Sequence, residues 1–170
     1  MFIAGFSSNR VIQFTFSSPF DISEATFLTN SFCDVGSEAT DGTTIEFNSD
    51  GTKFFLADMT SDDVEIYSLT TAYDVSTCVS QGNKSFTLDS SPNLRAITFS
   101  NDGKNIYLLD RASDGHIFQY SLSSPYDLSN ETLVKNFSPS GGGLIANGGD
   151  VRGIKFSSDG SKMYITTGLG

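Results

Sequence analysis

Along most of this chain, apolar and polar residues alternate in short runs, the pattern of half-buried β-strands. In Arg10 to Ser17, Ile12, Phe14 and Phe16 face one way and Val11, Gln13 and Thr15 the other. Asp63 to Thr70 sets Tyr67 and Leu69 inward, and His116 to Ser123 sets Phe118, Tyr120 and Leu122 inward. Further strands are expected at Met1–Ser7, Ala25–Cys33, Thr43–Asn48, Phe54–Asp58, Leu94–Ser100, Ile106–Asp110, Glu131–Ser138, Val151–Phe156, Met163–Thr167 and within Cys78–Leu88. Phe54–Asp58 is apolar on both faces, as a strand sandwiched between neighbours would be. No segment shows helical periodicity.

The pattern repeats. Ser123-Ser124-Pro125-Tyr126-Asp127-Leu128-Ser129 has copies at Ser17–Ser23 and Thr70–Ser76, so that Asp21, Asp74 and Asp127 are evenly spaced. A period of this size built from strands marks a repeat array. Each unit reads as four strands. Strand a precedes an Asp-Gly turn, b follows it, c carries the aromatic-x-leucine face, and d follows the aspartate motif. The turns at Asp50-Gly51, Asp102-Gly103 and Asp159-Gly160 place glycine where a tight hairpin needs positive φ. Both chain ends read as b strands, Met1-Phe2-Ile3 aligning with Met163-Tyr164-Ile165.

Four antiparallel strands per unit make a β-propeller blade. The expected fold is therefore all-β: a propeller of four-stranded antiparallel blades, with about three blade-equivalents in one domain spanning 1–170. The repeats fall at approximately 1–42, 43–93 and 94–150, with 151–170 beginning a further blade. The hairpins Phe47–Gly51, Phe99–Gly103 and Phe156–Gly160 resemble the F-S-x-D-G turn of YVTN-type, TolB-like and lactonase-like propellers. The fuller pattern, with Gln119-Tyr120-Ser121-Leu122-Ser123-Ser124-Pro125-Tyr126-Asp127-Leu128-Ser129, resembles a repeat of marine phage and bacterial proteins. That resemblance implies a non-catalytic binding or structural module, a virion or cell-surface component presenting variable loops to glycan or protein. The lactonase-like resemblance implies the alternative, a metal-dependent hydrolase with its site in the channel. Propellers usually need at least four blades. Three equivalents call for a head-to-tail dimer closing a six-bladed ring, or for membership of a longer array.

Composition narrows the partners. The 170 residues carry a formal net charge of −10, which argues against nucleic acid and anionic lipid. Apolar runs of four or five residues are far short of a membrane span. Met1 to Gly5 has no basic n-region, so no signal peptide is expected, and the chain reads as soluble, virion-associated or extracellular. Cys33 and Cys78 occupy non-equivalent repeat positions without metal-ligand spacing, and two half-buried thiols are expected, with a disulfide as the lesser alternative.

Candidate chemistry concentrates on one face. The a–b and c–d turns are uniform between repeats, whereas the b–c and d–a loops vary, and function usually sits on variable loops. Arg95 and Arg152 stand near the start of strand a, with Thr43 at the equivalent place. Two-fold closure would set four arginines and two threonines around one channel end, for an anionic ligand or for pairing with acids such as Asp41 or Asp150. Asp110, Arg111, Asp114 and the single histidine, His116, form a second polar group there. No catalytic constellation, metal set or cofactor motif stands out. Asp21, Asp74, Asp127, Asp50, Asp102 and Asp159 read as turn-fixing residues, and Phe20, Tyr73 and Tyr126 are expected to pack between blades.

Overall fold

The computed structural model describes residues 1–5, 8–39, 41–88, 92–111, 115–138 and 150–168. The strands in chain order are β1 (Phe2–Gly5), β2 (Arg10–Phe16), β3 (Ala25–Asp34), β4 (Gly42–Phe47), β5 (Lys53–Asp58), β6 (Asp63–Leu69), β7 (Cys78–Ser85), β8 (Leu94–Phe99), β9 (Asn105–Asp110), β10 (His116–Leu122), β11 (Glu131–Phe137), β12 (Asp150–Phe156) and β13 (Met163–Gly168). Among the described residues the helical pieces are two single 3-10 turns, Ile22–Glu24 and Val75–Thr77. The glycine-rich loop at 140–149 and Asp114 lie outside the described residues.

Every ladder is antiparallel, and the strands form four sheets: β1-β2-β3, β4-β5-β6-β7, β8-β9-β10-β11 and β12-β13. The middle two sheets are complete four-strand units. Among the described residues the first has no strand a, and the last has strands a and b. Strands β1, β4, β8 and β12 run side by side and link the sheets.

Period-two alternation then fills the gaps between sheets. Phe54 and Leu56 of β5 meet Val11 and Cys33 of the first sheet, together with Tyr67 and Leu69. Phe55 and Ala57 of the same strand point the other way, to Leu108, Phe118, Tyr120 and Leu122 of the third sheet. Ala96, Leu109 and Ile117 meet Val151 and Ile154 of the last. Phe54 stacks on Tyr67 at 4.6 Å and Phe55 contacts Phe99 at 4.8 Å. Phe14, the counterpart of Tyr67 and Tyr120, is only half-buried.

Two expectations are corrected. Cys33 and Cys78 are not free thiols but a disulfide, with Cα atoms 5.9 Å apart. Neighbouring sheets meet by opposite faces, so contacting residues need not be equivalent in the repeat. The register makes this concrete: Cys33 stands opposite Val11 as Lys84 stands opposite Val64, and Cys78 closes its strand pair opposite Leu69 as Glu131 does opposite Leu122. Lys84 and Glu131 meet at 2.7 Å across the next gap. The disulfide and this ion pair are the same contact made twice.

The second correction concerns Phe20 among the motif aromatics, for Tyr126 does pack between sheets, against Phe55 of the second and Phe99 of the third. Tyr73 and Tyr126 lie over the turn glycines of their own sheets, where a Cβ on Gly51 or Gly103 would come within 2.3 Å of the ring. Their amides donate to those glycines' carbonyls at 2.8 and 2.9 Å. Phe20, without such a turn in its own sheet, is 99% exposed.

Candidate functional site

The two faces differ in how their carboxylates are used. On the face of the uniform turns, Asp21 and Asp74 each accept from the backbone and hydroxyl of the serine two residues on, and Asp127 accepts from the Ser129 amide at 3.0 Å. Asp50 serves Thr52, Asp102 serves Ser100 and the Lys104 amide, and Asp159 serves Ser157 and Ser161. Hydroxyl donors, then backbone amides, hold Asp21, Asp50, Asp102 and Asp127 below the usual carboxylate range, and bring Asp159 to about 2. These aspartates are turn fixtures.

The opposite face is built on a repeated irregularity. The β4–β5 register shifts between Gly42 and Thr44, the β8–β9 register between Leu94 and Ala96, and the β12–β13 register between Val151 and Gly153. Thr43, Arg95 and Arg152 are thus the extra residues of three equivalent bulges, a device that re-aims a side chain at a sheet end. Thr43 turns its hydroxyl to the Ala57 carbonyl at 3.2 Å. Arg152 is exposed, its guanidinium lying over Gly168. Arg95 is half-buried between β4 and β8, its carbonyl accepting from Thr44 at 3.2 Å.

Around Arg95 lie Asp41 and Asp110, both named from the sequence, together with Asp58 and Asn93, which sequence reasoning did not select. Asp58 and Asp110 end strands β5 and β9 and are buried. Asp58 accepts from the Asp41 amide at 3.1 Å and the Thr60 amide at 3.0 Å, while Asp110 accepts from the Asn93 amide at 2.7 Å. Each aspartate pins the residue that opens strand a. Their shared position, seven residues past the turn glycines Gly51 and Gly103, was the available sequence signal. Burial and then Asp58 push the Asp41 carboxyl up, and the Arg95 guanidinium partly offsets them. Among the described residues, buried polar atoms without a hydrogen-bond partner at this end include Asp41 Oδ1, Asn93 Oδ1 and Arg95 Nε.

Asp110, Arg111 and His116 surround the next connection. Arg111 is exposed and its amide donates to the Asn93 carbonyl at 2.9 Å. His116 faces Asp110 in register and meets the Phe118 ring edge-on at 6.2 Å. The fold thus gathers Thr43, Arg95 and Arg152 on one row and Asp110, Arg111 and His116 at the same strand ends. Among the described residues, no group of three or more His, Cys, Asp or Glu is arranged to hold a metal.

No family model matches the chain, and no curated sequence does. Solved structures do match. A candidate 6-phosphogluconolactonase from Bacteroides fragilis superposes with a TM-score of 0.63 at 14% identity, over 92% of this chain and 41% of its own. The periplasmic gluconolactonase PpgL of Pseudomonas aeruginosa gives 0.62 at 13%, over 94% and 41%. KlAtg21, in complex with the coiled coil of AgAtg16, gives 0.55 at 15%, over 95% and 45%. The chain has a propeller-like, all-β fold. It spans less than half the length of these neighbours. They comprise one candidate lactonase, one gluconolactonase and a protein in complex with a coiled coil, so fold alone does not choose between catalysis and binding.

Proposed function

We propose that this chain is a non-catalytic binding module that takes an acidic glycan at the strand-a end, around Arg95. The observation carrying this reading is the presence, among the described residues, of buried polar atoms without a hydrogen-bond partner, Asp41 Oδ1, Asn93 Oδ1 and Arg95 Nε among them. A buried polar group without a partner costs about 1–3 kcal/mol, so such a trio favours a ligand that satisfies it. One donor beside two acceptors suits a carboxylate flanked by hydroxyls. These atoms are closed off from solvent in the free chain, so the ligand reaches them by parting the strand-a loops, its carboxylate then accepting from Arg95 and its hydroxyls donating to Asn93 and Asp41. The variable loops then select the glycan or the protein carrying it.

A second reading rests on the same groups. A sugar acid is also the product of lactone hydrolysis, and lactonases are among the fold neighbours. In that reading Arg95 binds the substrate's developing carboxylate and the face is an active site. An array of uronic- and sialic-acid-terminated glycans, probed with wild type and Arg95→Ala, tests the first reading. Saturable binding that Arg95→Ala weakens by about 10- to 100-fold is expected, the range for one charge-assisted hydrogen bond. Folded protein that binds none of these glycans, or binds them equally after the substitution, overturns it. Turnover of 6-phosphogluconolactone, lost in Arg95→Ala, replaces binding with catalysis.

A further inference from the structure

The two end sheets are complementary halves of one unit. In the middle sheets a motif aromatic at positive φ (Tyr73 at 58°, Tyr126 at 57°) covers a turn glycine at 70° or 68°. Phe20 already holds φ 64°, yet no turn lies beneath it. Gly160 already holds φ 70°, yet a Cβ there would meet nothing within 4 Å. The first sheet has the aromatic without its glycine, and the last has the glycine without its aromatic. Both are pre-set in the backbone conformation of the joined form.

Each end also exposes the surface such a union would cover. A groove of about 280 Å³ runs between the third sheet and the last, lined by Tyr107, Ile117, Phe137, Gly160 and Met163 among others. An apolar hollow of about 530 Å³ at the first sheet is lined by Met1, Phe16, Pro19, Phe20 and Ile22. Charge leans the same way: Asp21, Glu24, Asp34 and Glu38 against Arg10 mark the first sheet and its following turn, and Arg152, Lys155 and Lys162 against Asp150 and Asp159 mark the last, although Lys155 is already paired with Glu46.

We propose that a second copy of this chain completes these sheets. Its β2–β3 pair enters the groove beside β12–β13, with Phe20 seated on Gly160 and Ala25 against Phe137. That last pair follows from the register. Ala25 is the counterpart of Cys78 and Glu131, opposite Phe16 as they are opposite Leu69 and Leu122. Phe137, opposite Ile117, is the counterpart of Cys33 and Lys84, and is 46% exposed. The same contact is a disulfide at the first gap, an ion pair at the second, and an apolar pair at the seam between copies. Two head-to-tail copies make two such seams and close a ring.

Strands β1 and β13 then compete for one place beside β2. β13 keeps it, because six register pairs hold it to β12 whereas four hold β1 to β2. Dimer formation should therefore raise hydrogen exchange in β1 while protecting β13.

The test is solution mass by light scattering, on wild type and Phe20→Asp, with the double variant Ala25→Cys/Phe137→Cys as a second readout. Phe20 is so exposed that its substitution leaves the single chain folded. Wild type should have twice the chain mass, and Phe20→Asp should weaken the dimer at least about 30-fold, as loss of an anchor does. The double variant should oxidise to a reducible covalent dimer, since the native cysteines are already joined. A single-chain mass at up to about 100 µM, a dimer indifferent to Phe20→Asp, or no cross-link overturns the proposal. A mass that climbs without limit overturns the two-copy ring.

Discussion

The gap between the first and second sheets and the gap between the second and third are built on one plan with different chemistry. At the first, Cys33 and Cys78 are joined covalently, Glu65 is buried, and the Tyr67 hydroxyl has no hydrogen-bond partner. At the second, Lys84 and Glu131 form an ion pair, Phe118 takes the place of Glu65, and the Tyr120 hydroxyl donates to the Thr87 carbonyl at 2.5 Å. The first gap thus tolerates two unsatisfied buried groups beside a covalent clamp. The second is satisfied throughout these positions and has no clamp. The difference indicates that the disulfide offsets polar defects at the first gap.

Breaking the clamp is the largest test of that idea. The bond spans a sequence separation of 45 residues, for which loop-closure entropy gives about 4 kcal/mol. Replacing Cys33 and Cys78 together by Ala should lower unfolding free energy by about that amount in denaturant melts. Reductant should do the same to wild type and nothing to the variant. A loss below about 1 kcal/mol would mean the first gap is held by its apolar core.

Glu65 supplies the next. Its carboxyl is fully buried, neither oxygen has a hydrogen-bond partner, and burial pushes its pKa up to about 7, with Asp63, Asp58 and Glu38 adding to the rise. Asn83, opposite in the β6–β7 register, tempers that rise without closing a hydrogen bond. The folded chain therefore holds a proton that the unfolded chain releases near the ordinary value of 4.5. Stability from this group is full below pH 4.5, falls as pH rises toward about 7, and is flat above that. The fall amounts to about 3 kcal/mol by linkage. Glu65→Gln should flatten the profile in that window, and an unchanged profile would place the charge in water.

The local parts of this architecture were legible in the sequence. Alternation located the strands, including the two-faced β5, because side-chain period is a property of one strand. The turn aspartates were legible because an Asx turn closes within a few residues. What was not legible lies between sheets. Cys33 and Cys78 seemed mismatched because repeat equivalence, not the meeting of opposite faces, was the guide. Phe20 was expected to pack like Tyr73 and Tyr126, although its own sheet has no turn glycine for it to cover. Glu65 did have a signal, since it shares the inward phase of Tyr67 and Leu69. At the candidate site, the equivalence of Thr43, Arg95 and Arg152 was readable. The unpartnered atoms of Asp41 and Asn93 depend on cross-strand geometry that no spacing reports.

The paired tyrosines sharpen the comparison at a smaller scale. Tyr67→Phe removes a buried hydroxyl without a partner and should stabilise the chain by up to about 1–2 kcal/mol. Tyr120→Phe removes a hydrogen bond between sheets and should cost about 1 kcal/mol. Opposite signs in parallel denaturant melts are the expected result. Equal losses would mean that ordered water satisfies Tyr67.

The ion pair at the second gap should have the smallest effect. Lys84 and Glu131 keep 27% and 19% of their side chains exposed, and the Lys84 ammonium also lies 5.9 Å from the Phe86 ring centre. Partial exposure leaves water to compete for both charges, so the pair contributes about 0.2–1 kcal/mol. Lys84→Met should cost no more than that, and molar salt should erase part of the difference between variant and wild type. Its counterpart contact at the first gap, the disulfide, is salt-independent and several times larger. A loss above about 3 kcal/mol for Lys84→Met would show that Glu131 behaves as a buried charge left alone. The second gap would then be clamped as firmly as the first, and the disulfide would no longer explain why only the first gap tolerates Glu65.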